Sequence, residues 1–335
     1  MITVNAYAAH EAGGKLEKHQ YELPDVSGEY VDIKVEYCGI CHSDLSMINN
    51  EWGMTQYPIV PGHEIVGEVI AVGSEVKNVN VGDKVGLGWF SESCMHCNQC
   101  IGGNQHLCGS AEATIVGRHG GFSDVVRGHW SWAIPLPEGL DMAKAGPLFC
   151  GGITVFNPIV LSGVQPTDKV GVIGIGGLGH MAIKFLKAWG CEVTAFSSNP
   201  NKKDDIIKMG AHLVVNSRNP EDLESIAGTL DFILNTANVS LDWNSYLTTL
   251  APKGKLHTVG AVLEPMEIPA FSLLVGEKAL GGSPLGGIAL TRKMLEFCVR
   301  HDIYPTVETF DMSDVNTAMK HLEEGKARFR IVLKA

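Results

Sequence analysis

Two textures of apolar and polar positions divide the chain. Through Cys150, short runs rich in β-branched residues are broken by Gly, Pro and Asn, which predicts strands joined by tight turns. Val31 to Tyr37 alternates, and Ile65 to Val72 is a β-rich run closed by Gly73. After Cys150 the rhythm changes. Lys169 to Ile173 has the pattern of a buried strand, and a helical stretch then runs to about Trp189. Glu192 to Phe196 predicts the next strand, followed by a helix through Met209. Leu213 to Val215, Asp231 to Leu234 and Lys255 to Val259 continue the alternation, which predicts an α/β fold with a parallel sheet covered on both faces. A helix from Thr291 to His301 and a last strand from Phe329 to Leu333 end the pattern, and this tail is expected to return to the first domain.

Composition adds bounds. At 335 residues the chain is long enough for two domains, and its 45% hydrophobic content is that of a globular protein. Acidic residues outnumber basic ones, 37 to 26, and the net charge of −11 disfavours nucleic acid and anionic membranes as partners. No basic segment with an apolar run follows Met1, so no signal peptide is expected. No apolar stretch approaches the ~20 residues of a membrane span. With nine cysteines at metal-ligand spacing and no export signal, a reducing cytoplasm is expected.

Cys94, Cys97, Cys100 and Cys108 follow the pattern C-x2-C-x2-C-x7-C in a loop-rich segment. Four thiolates at this spacing can close around one tetrahedral Zn2+ and leave no position for a substrate, a structural role. His96, between them, is read as a bystander, with replacement of one cysteine left open. A second, open site can be assembled from Cys41, His63 and Cys150, two soft thiolates and an imidazole. Asp44 is placed to accept a hydrogen bond from the other ring nitrogen of His63. Cys38 is read as a buried small apolar residue, as are Cys191 and Cys298.

Gly174, Gly176 and Gly179, with Gly177 and Leu178 between, form a G-x-G-x-x-G loop after a strand and before a helix, the context of a dinucleotide site. The second strand ends Ser197-Ser198-Asn199 with Lys202 and Lys203 beyond, and it lacks the carboxylate that would hold a free ribose 2′-OH. Hydroxyls and an ammonium suit a 2′-phosphate, so NADP(H) is favoured. The same residues can also cap the next helix. Both roles are compatible.

The ordered motifs Cys38-Gly-Ile-Cys41-His-Ser-Asp44, Pro61-Gly-His-Glu-Ile-Val-Gly67, the four-cysteine lobe, Leu148 to Thr154 and Gly174 to His180 resemble those of zinc-dependent medium-chain alcohol dehydrogenases. Within that family the chain is most similar to the NADP-dependent cinnamyl-alcohol-dehydrogenase-like branch, which includes broad-range aldehyde reductases. The resemblance implies a GroES-like β-rich catalytic domain over 1–151 and 288–335 and a Rossmann domain over 152–287, with the active site in the cleft between them. It implies two Zn2+ per chain and hydride transfer between NADP(H) and an aromatic or medium-chain aldehyde or primary alcohol. By motif, Cys41, His63 and Cys150 hold the catalytic zinc and Glu64 is an exchanging ligand. Ser43 is implied to contact the substrate oxygen and Thr154 to lie near the nicotinamide. Ser197, Ser198, Asn199 and Lys202 fall near the 2′-phosphate. The resemblance also suggests a homodimer joined at sheet edges around Leu280 to Gly287.

The chain departs from the pattern at Ser46, where relatives often carry a histidine, so the proton relay is expected to end in water. It is also short from Gly109 to Phe122. Trp52, Trp89 and Phe90 have two readings, an apolar substrate wall or core aromatics. A polyol dehydrogenase, an iminium or conjugated-bond reductase, and a silent NADPH-binding protein are the alternatives. The intact set at Cys41, His63 and Cys150 opposes the last.

Overall fold

A computed structural model describes residues 1–335, apart from the side chain of Pro200. The chain divides into two compact units, Met1–Cys150 with Gly286–Ala335, and Gly151–Leu285. The boundaries expected at 151 and 287 lie one and two residues beyond those of the structure.

The first unit is organised by the strand Tyr30–Ile40. Ile65–Val72 pairs antiparallel along one side of it. On its other side, Val125–His129 pairs with the first half and Arg330–Lys334 with the last residues, again antiparallel. Lys84–Leu87 and Ile134–Pro135 extend the sheet one way, and Val307–Asp311 extends it the other in parallel with Arg330–Lys334. Alternation buries Val31, Ile33 and Val35. Asp32 breaks the pattern because it is buried too, held by both Nε and Nη2 of Arg127 at 2.6 and 2.9 Å. Arg127 stands directly opposite it on the neighbouring strand, and this two-pronged pairing replaces the water the carboxylate lost.

The strand predicted over Val31 to Tyr37 continues to Ile40 because the C-terminal strand supplies hydrogen-bonding partners for Tyr37 through Ile40. That extension carries the chain to Cys41 at the head of a short helix, His42–Ile48, which periodicity did not predict. Seven residues are too few for a readable apolar stripe. The C-terminal elements shift slightly: the helix spans Ile288–His301 and the last strand Arg330–Lys334.

The second unit is a six-stranded parallel sheet. Its spatial order is Leu213–Asn216, Glu192–Ser197, Lys169–Ile173, Leu230–Asn235, Leu250–Thr258 and Ala279–Gly282. This is the doubly wound Rossmann order, whose switch point lies between Lys169–Ile173 and Leu230–Asn235. One face buries Ile173, Phe196, Leu230, Ile233, Leu247 and Leu256 in a common core. Another helix, Gly179–Trp189, buries Met181, Ala182, Ile183, Phe185 and Leu186, and Phe185 meets Phe156 edge-on with ring centroids 5.3 Å apart. Ala279–Gly282 is an edge strand, and all four of its residues are exposed. Among the described residues, no single helix is long and apolar enough to cross a membrane.

Candidate metal centres and dinucleotide loop

Three backbone devices converge at the first centre. Tyr30–Ile40 ends at Cys41, which caps the helix His42–Ile48. A turn at Gly62, with φ of +97°, delivers His63 and Glu64, and a Cβ at Gly62 would lie 2.6 Å from the Phe122 ring and 2.9 Å from Cys38 Sγ. Only glycine accepts both that dihedral and that crowding. Cys150 follows the helical turn Gly146–Phe149.

The donor atoms of Cys41, His63, Glu64 and Cys150 all lie within 4.8 Å of one another, and all four residues are buried. The two sulfurs are 3.9 Å apart and His63 Nε2 is 3.3 Å from Cys150 Sγ. Ligands arranged tetrahedrally around Zn2+ at about 2.0–2.3 Å stand roughly 3.3–3.8 Å apart, so the donor set fits the ion.

Asp44 holds this arrangement together. It accepts from the Cys41 amide at 2.9 Å, the Gly62 amide at 2.9 Å and His63 Nδ1 at 2.8 Å. The bond to Nδ1 fixes the tautomer and leaves Nε2 facing the sulfurs. Burial disfavours protonated His63, but the charge and hydrogen bond of Asp44, with Cys41, outweigh it and hold its pKa well above the usual value. The Cys150 hydrogen bond holds the Cys41 thiol well below its ordinary pKa, against the effect of burial. The same contact and burial push Cys150 well up. A divalent cation held between them would favour the thiolate form of both.

Burial raises the Glu64 carboxyl to about 7, with the Arg330 guanidinium acting against that rise. Arg330 Nη2 donates to Glu64 Oε1 and to the Ile40 carbonyl oxygen. Glu64 Oε2 is buried without a hydrogen-bond partner. It faces Gly39, where an added Cβ would lie 2.0 Å away.

Ser43 is half-buried with its Oγ 3.7 Å from Cys41 Sγ. Ser46 is buried and donates to Glu51 Oε2 at 2.7 Å. Trp89 stands edge-on to His63 with ring centroids 5.0 Å apart, and Trp52 stands edge-on to Trp89 at 5.9 Å. Phe90 packs on Trp132 instead, so it belongs to a different cluster from the two tryptophans.

The sulfurs of Cys94, Cys97, Cys100 and Cys108 form a second convergent group. Cys94 Sγ is 3.5 Å from Cys108 Sγ and 3.9 Å from Cys100 Sγ, close to the ~3.8 Å of four thiolates on one Zn2+. Backbone amides of His96 and Cys97 hold the Cys94 thiol down to about 6, whereas burial pushes Cys100 up to about 12. His96 is exposed, its Nδ1 2.5 Å from the Cys94 carbonyl oxygen, and it stands outside the sulfur group. Cys38 is fully buried, with its thiol raised by that burial.

In the second unit the glycine loop divides its tasks. Gly174 turns the chain at φ of +84° and would place a Cβ 2.8 Å from the Ala237 amide. A Cβ at Gly179 would lie 2.0 Å from the Gly174 carbonyl oxygen, so the helix packs against its own turn. Nothing lies within 4 Å of the Cβ position at Gly176, which leaves room for a pyrophosphate. Gly177 and Leu178 complete the turn before the helix. Ser197 Oγ closes a turn with the Asn199 backbone, accepting from its amide and donating to its carbonyl at 3.2 and 3.1 Å. Asn199 Oδ1 accepts from the Asn201 amide. Ser197 and Asn199 thus serve the turn, while the exposed Ser198 and half-buried Lys202 side chains have no hydrogen-bond partner among the described residues. Thr154 is buried on the helix Gly151–Leu161.

Comparison with known proteins agrees with this geometry. Residues 27–138 match the alcohol dehydrogenase GroES-like domain and residues 177–300 the zinc-binding dehydrogenase domain. The chain is 54% identical over 330 residues to an aldehyde reductase of Synechocystis sp., covering 98% of each chain. It belongs to the zinc-dependent alcohol dehydrogenase family. The solved structure of a cinnamyl alcohol dehydrogenase from Sorghum bicolor superposes with a TM-score of 0.95 at 37% identity, covering 99% of this chain and 98% of the other. One from Helicobacter pylori, complexed with NADP(H), gives 0.91 at 32% identity over 99% and 98% of the two chains. The two units of this dehydrogenase are accordingly a GroES-like domain and a Rossmann-type domain.

Two residues of these centres escaped the sequence reading. Arg330 lies 266 positions from Glu64, beyond any local pattern. The available signal was an arginine opening an apolar C-terminal strand, a charge that burial would force into a pair. Thr236 Oγ1 donates to the Ile173 and Gly174 carbonyl oxygens and ties the glycine loop to the neighbouring strand.

Removing Asp44 tests the network directly. Asp44→Ala strands three buried donors at about 1–3 kcal/mol each, so a loss of at least about 3 kcal/mol is expected in denaturant unfolding. Asp44→Asn keeps one acceptor oxygen and should lose less. Equal stability of Asp44→Ala and the unaltered chain would refute the role given to this carboxylate.

Proposed function

We propose that this dehydrogenase reduces aldehydes to primary alcohols, and runs the reverse oxidation, with NADP(H) as hydride carrier. The observation that carries the reading is the buried group of Cys41, His63 and Cys150, whose spacing fits one Zn2+. Cys94, Cys97, Cys100 and Cys108 would hold a second, structural Zn2+ with every position closed.

When bound, zinc supplies Lewis-acid polarisation of a carbonyl oxygen and NADPH supplies the hydride. The chain's own residues do the rest. Cys41 and Cys150 would hold that ion as thiolates, and Asp44 accepts from His63 Nδ1 and so turns Nε2 toward the sulfurs. Arg330 keeps Glu64 within reach of the ligand group while neutralising it, so the carboxylate can approach or withdraw as an exchanging ligand. Ser43 Oγ holds the proton that the product oxygen takes up. Ser46 is occupied by Glu51, so Ser43 is replenished from water. Trp89 and Trp52 give the site an apolar wall, which favours aromatic or medium-chain aldehydes over polyols.

Ser198 and Lys202 are the groups read as meeting the 2′-phosphate, with Ser197 and Asn199 shaping the turn that presents them. Gly174, Gly176 and Gly179 accommodate the pyrophosphate, and Thr154 is assigned to the nicotinamide end. Nine free thiols fit a reducing compartment, the cytoplasm. The exposed edge strand Ala279–Gly282, beside exposed Phe271, Leu274 and Val275, suits pairing with a second copy.

NADPH oxidation with a panel of aromatic and aliphatic aldehydes should be fast and should stop on chelation. Cys41→Ser should abolish turnover and keep NADPH binding. Turnover that survives both treatments would overturn the zinc reading.

Lys202→Ala should raise the KM for NADPH about 10–100-fold and leave NADH nearly unchanged, since a charged hydrogen bond contributes about 1.5–3 kcal/mol. Equal losses for the two cofactors would remove Lys202 from the phosphate site.

Light scattering should give a dimer mass, reduced to that of one chain by Leu280→Lys. A monomeric unaltered chain would rule out the edge pairing.

A further inference from the structure

Two side chains hold the glycine loop of the second unit. Thr236 Oγ1 donates to the Ile173 and Gly174 carbonyl oxygens at 2.9 and 2.6 Å and fixes the first half of the turn. His180 fixes the second half. It is the second residue of the helix Gly179–Trp189, and its side chain is wholly buried.

The backbone amide of His180 and its ring Nδ1 each lie 3.1 Å from the Gly176 carbonyl oxygen. A carbonyl oxygen only accepts, so Nδ1 carries a proton and donates it. Gly176 thus receives two hydrogen bonds from one residue. The bond from the amide is the ordinary closing of a first helical turn. The bond from the imidazole is added to it, in an interior where water does not compete.

The consequence lies on the other side of the same peptide. The bond between Gly176 and Gly177 is trans, so its C=O and N–H point in opposite directions. With the Gly176 carbonyl drawn onto His180, the Gly177 amide faces away from it. The amides of Gly176, Gly177 and Leu178 donate to no group among the described residues. Gly176 itself is exposed, and nothing lies within 4 Å of its Cβ position. Unpaired amides at the start of a helix, beside open space, are the donors that a pyrophosphate takes up.

We propose that His180 is a positioning residue for the dinucleotide: its Nδ1–H locks the Gly176–Gly177 peptide, so that the Gly177 amide is aimed at the pyrophosphate before the cofactor arrives. The proposal rests on the reading of this loop as a dinucleotide site. Glycine backbone is the freest in the chain, and a peptide set in advance loses less freedom when the ligand binds. The pyrophosphate is common to NADPH and NADH, so the contribution of His180 is the same for both. In this it differs from Lys202, which is assigned to the 2′-phosphate alone.

The test is the binding of NADPH and of NADH, without aldehyde, measured by calorimetry on the zinc-loaded enzyme. His180→Leu keeps an apolar volume and removes the donor. It should raise both dissociation constants by one common factor, about three- to tenfold, the worth of a buried hydrogen bond. His180→Asn, whose amide nitrogen can stand where Nδ1 stood, should recover most of that loss. Phe185→Leu alters the core on the same helix, and it should lower stability in urea while leaving both dissociation constants unchanged. Full affinity in His180→Leu, no recovery in His180→Asn, or an equal loss in Phe185→Leu would overturn the positioning role. An unaltered enzyme that binds neither nucleotide would instead overturn the dinucleotide reading itself, and the role of His180 with it.

Discussion

A single buried carboxylate organises the catalytic unit. Asp44 accepts from the amide that begins a helix, from the amide of the Gly62 turn and from the ring of His63, all at 2.8–2.9 Å. Because Asp44 is wholly buried, water does not compete for these bonds, and a charged acceptor makes each stronger than its neutral equivalent. Helix start, turn and ligand ring are thereby one object. A cap that stabilises local structure also sets the direction in which an imidazole lone pair points.

Around that object the protein accumulates charges that a folded chain normally avoids. Glu64 and Arg330 are buried as a pair, beside two thiols and an imidazolium-prone histidine. Such groupings are poor contributors to stability and are better understood as function held by the surrounding fold. Arg330 comes from the far end of the chain on a strand that pairs beside Cys38 and Ile40. The C-terminal strand therefore supports the site twice, by extending the strand that leads to Cys41 and by neutralising Glu64.

In the second unit, sterics replace charge. Gly174 and Gly179 are required by contacts inside the fold, whereas Gly176 is bounded by open space. The contrast separates glycines kept for packing from one with open space beside it, a distinction that the spacing alone does not draw. Likewise Ser197 and Asn199 spend their side chains on the turn, and Ser198 and Lys202 are left for solvent or a phosphate.

The metal-ligand spacing of the cysteines, the glycine loop, the lack of a carboxylate after the second strand and the strand–helix rhythm were legible in the sequence, because each depends on residues close together along the chain. The long strand through Ile40 was read short because it depends on the C-terminal strand, and the helix at His42 was missed because seven residues are too few to show an apolar stripe. Cys150 could be proposed as a ligand from its motif, but only the fold brings its sulfur within 3.9 Å of Cys41 across 109 residues. Arg330 was invisible for the same reason. Local sequence determines which chemistry is available and which turns can present it. Contacts between distant segments decide which groups meet in a dry, low-dielectric interior, and there their charges and protons are set.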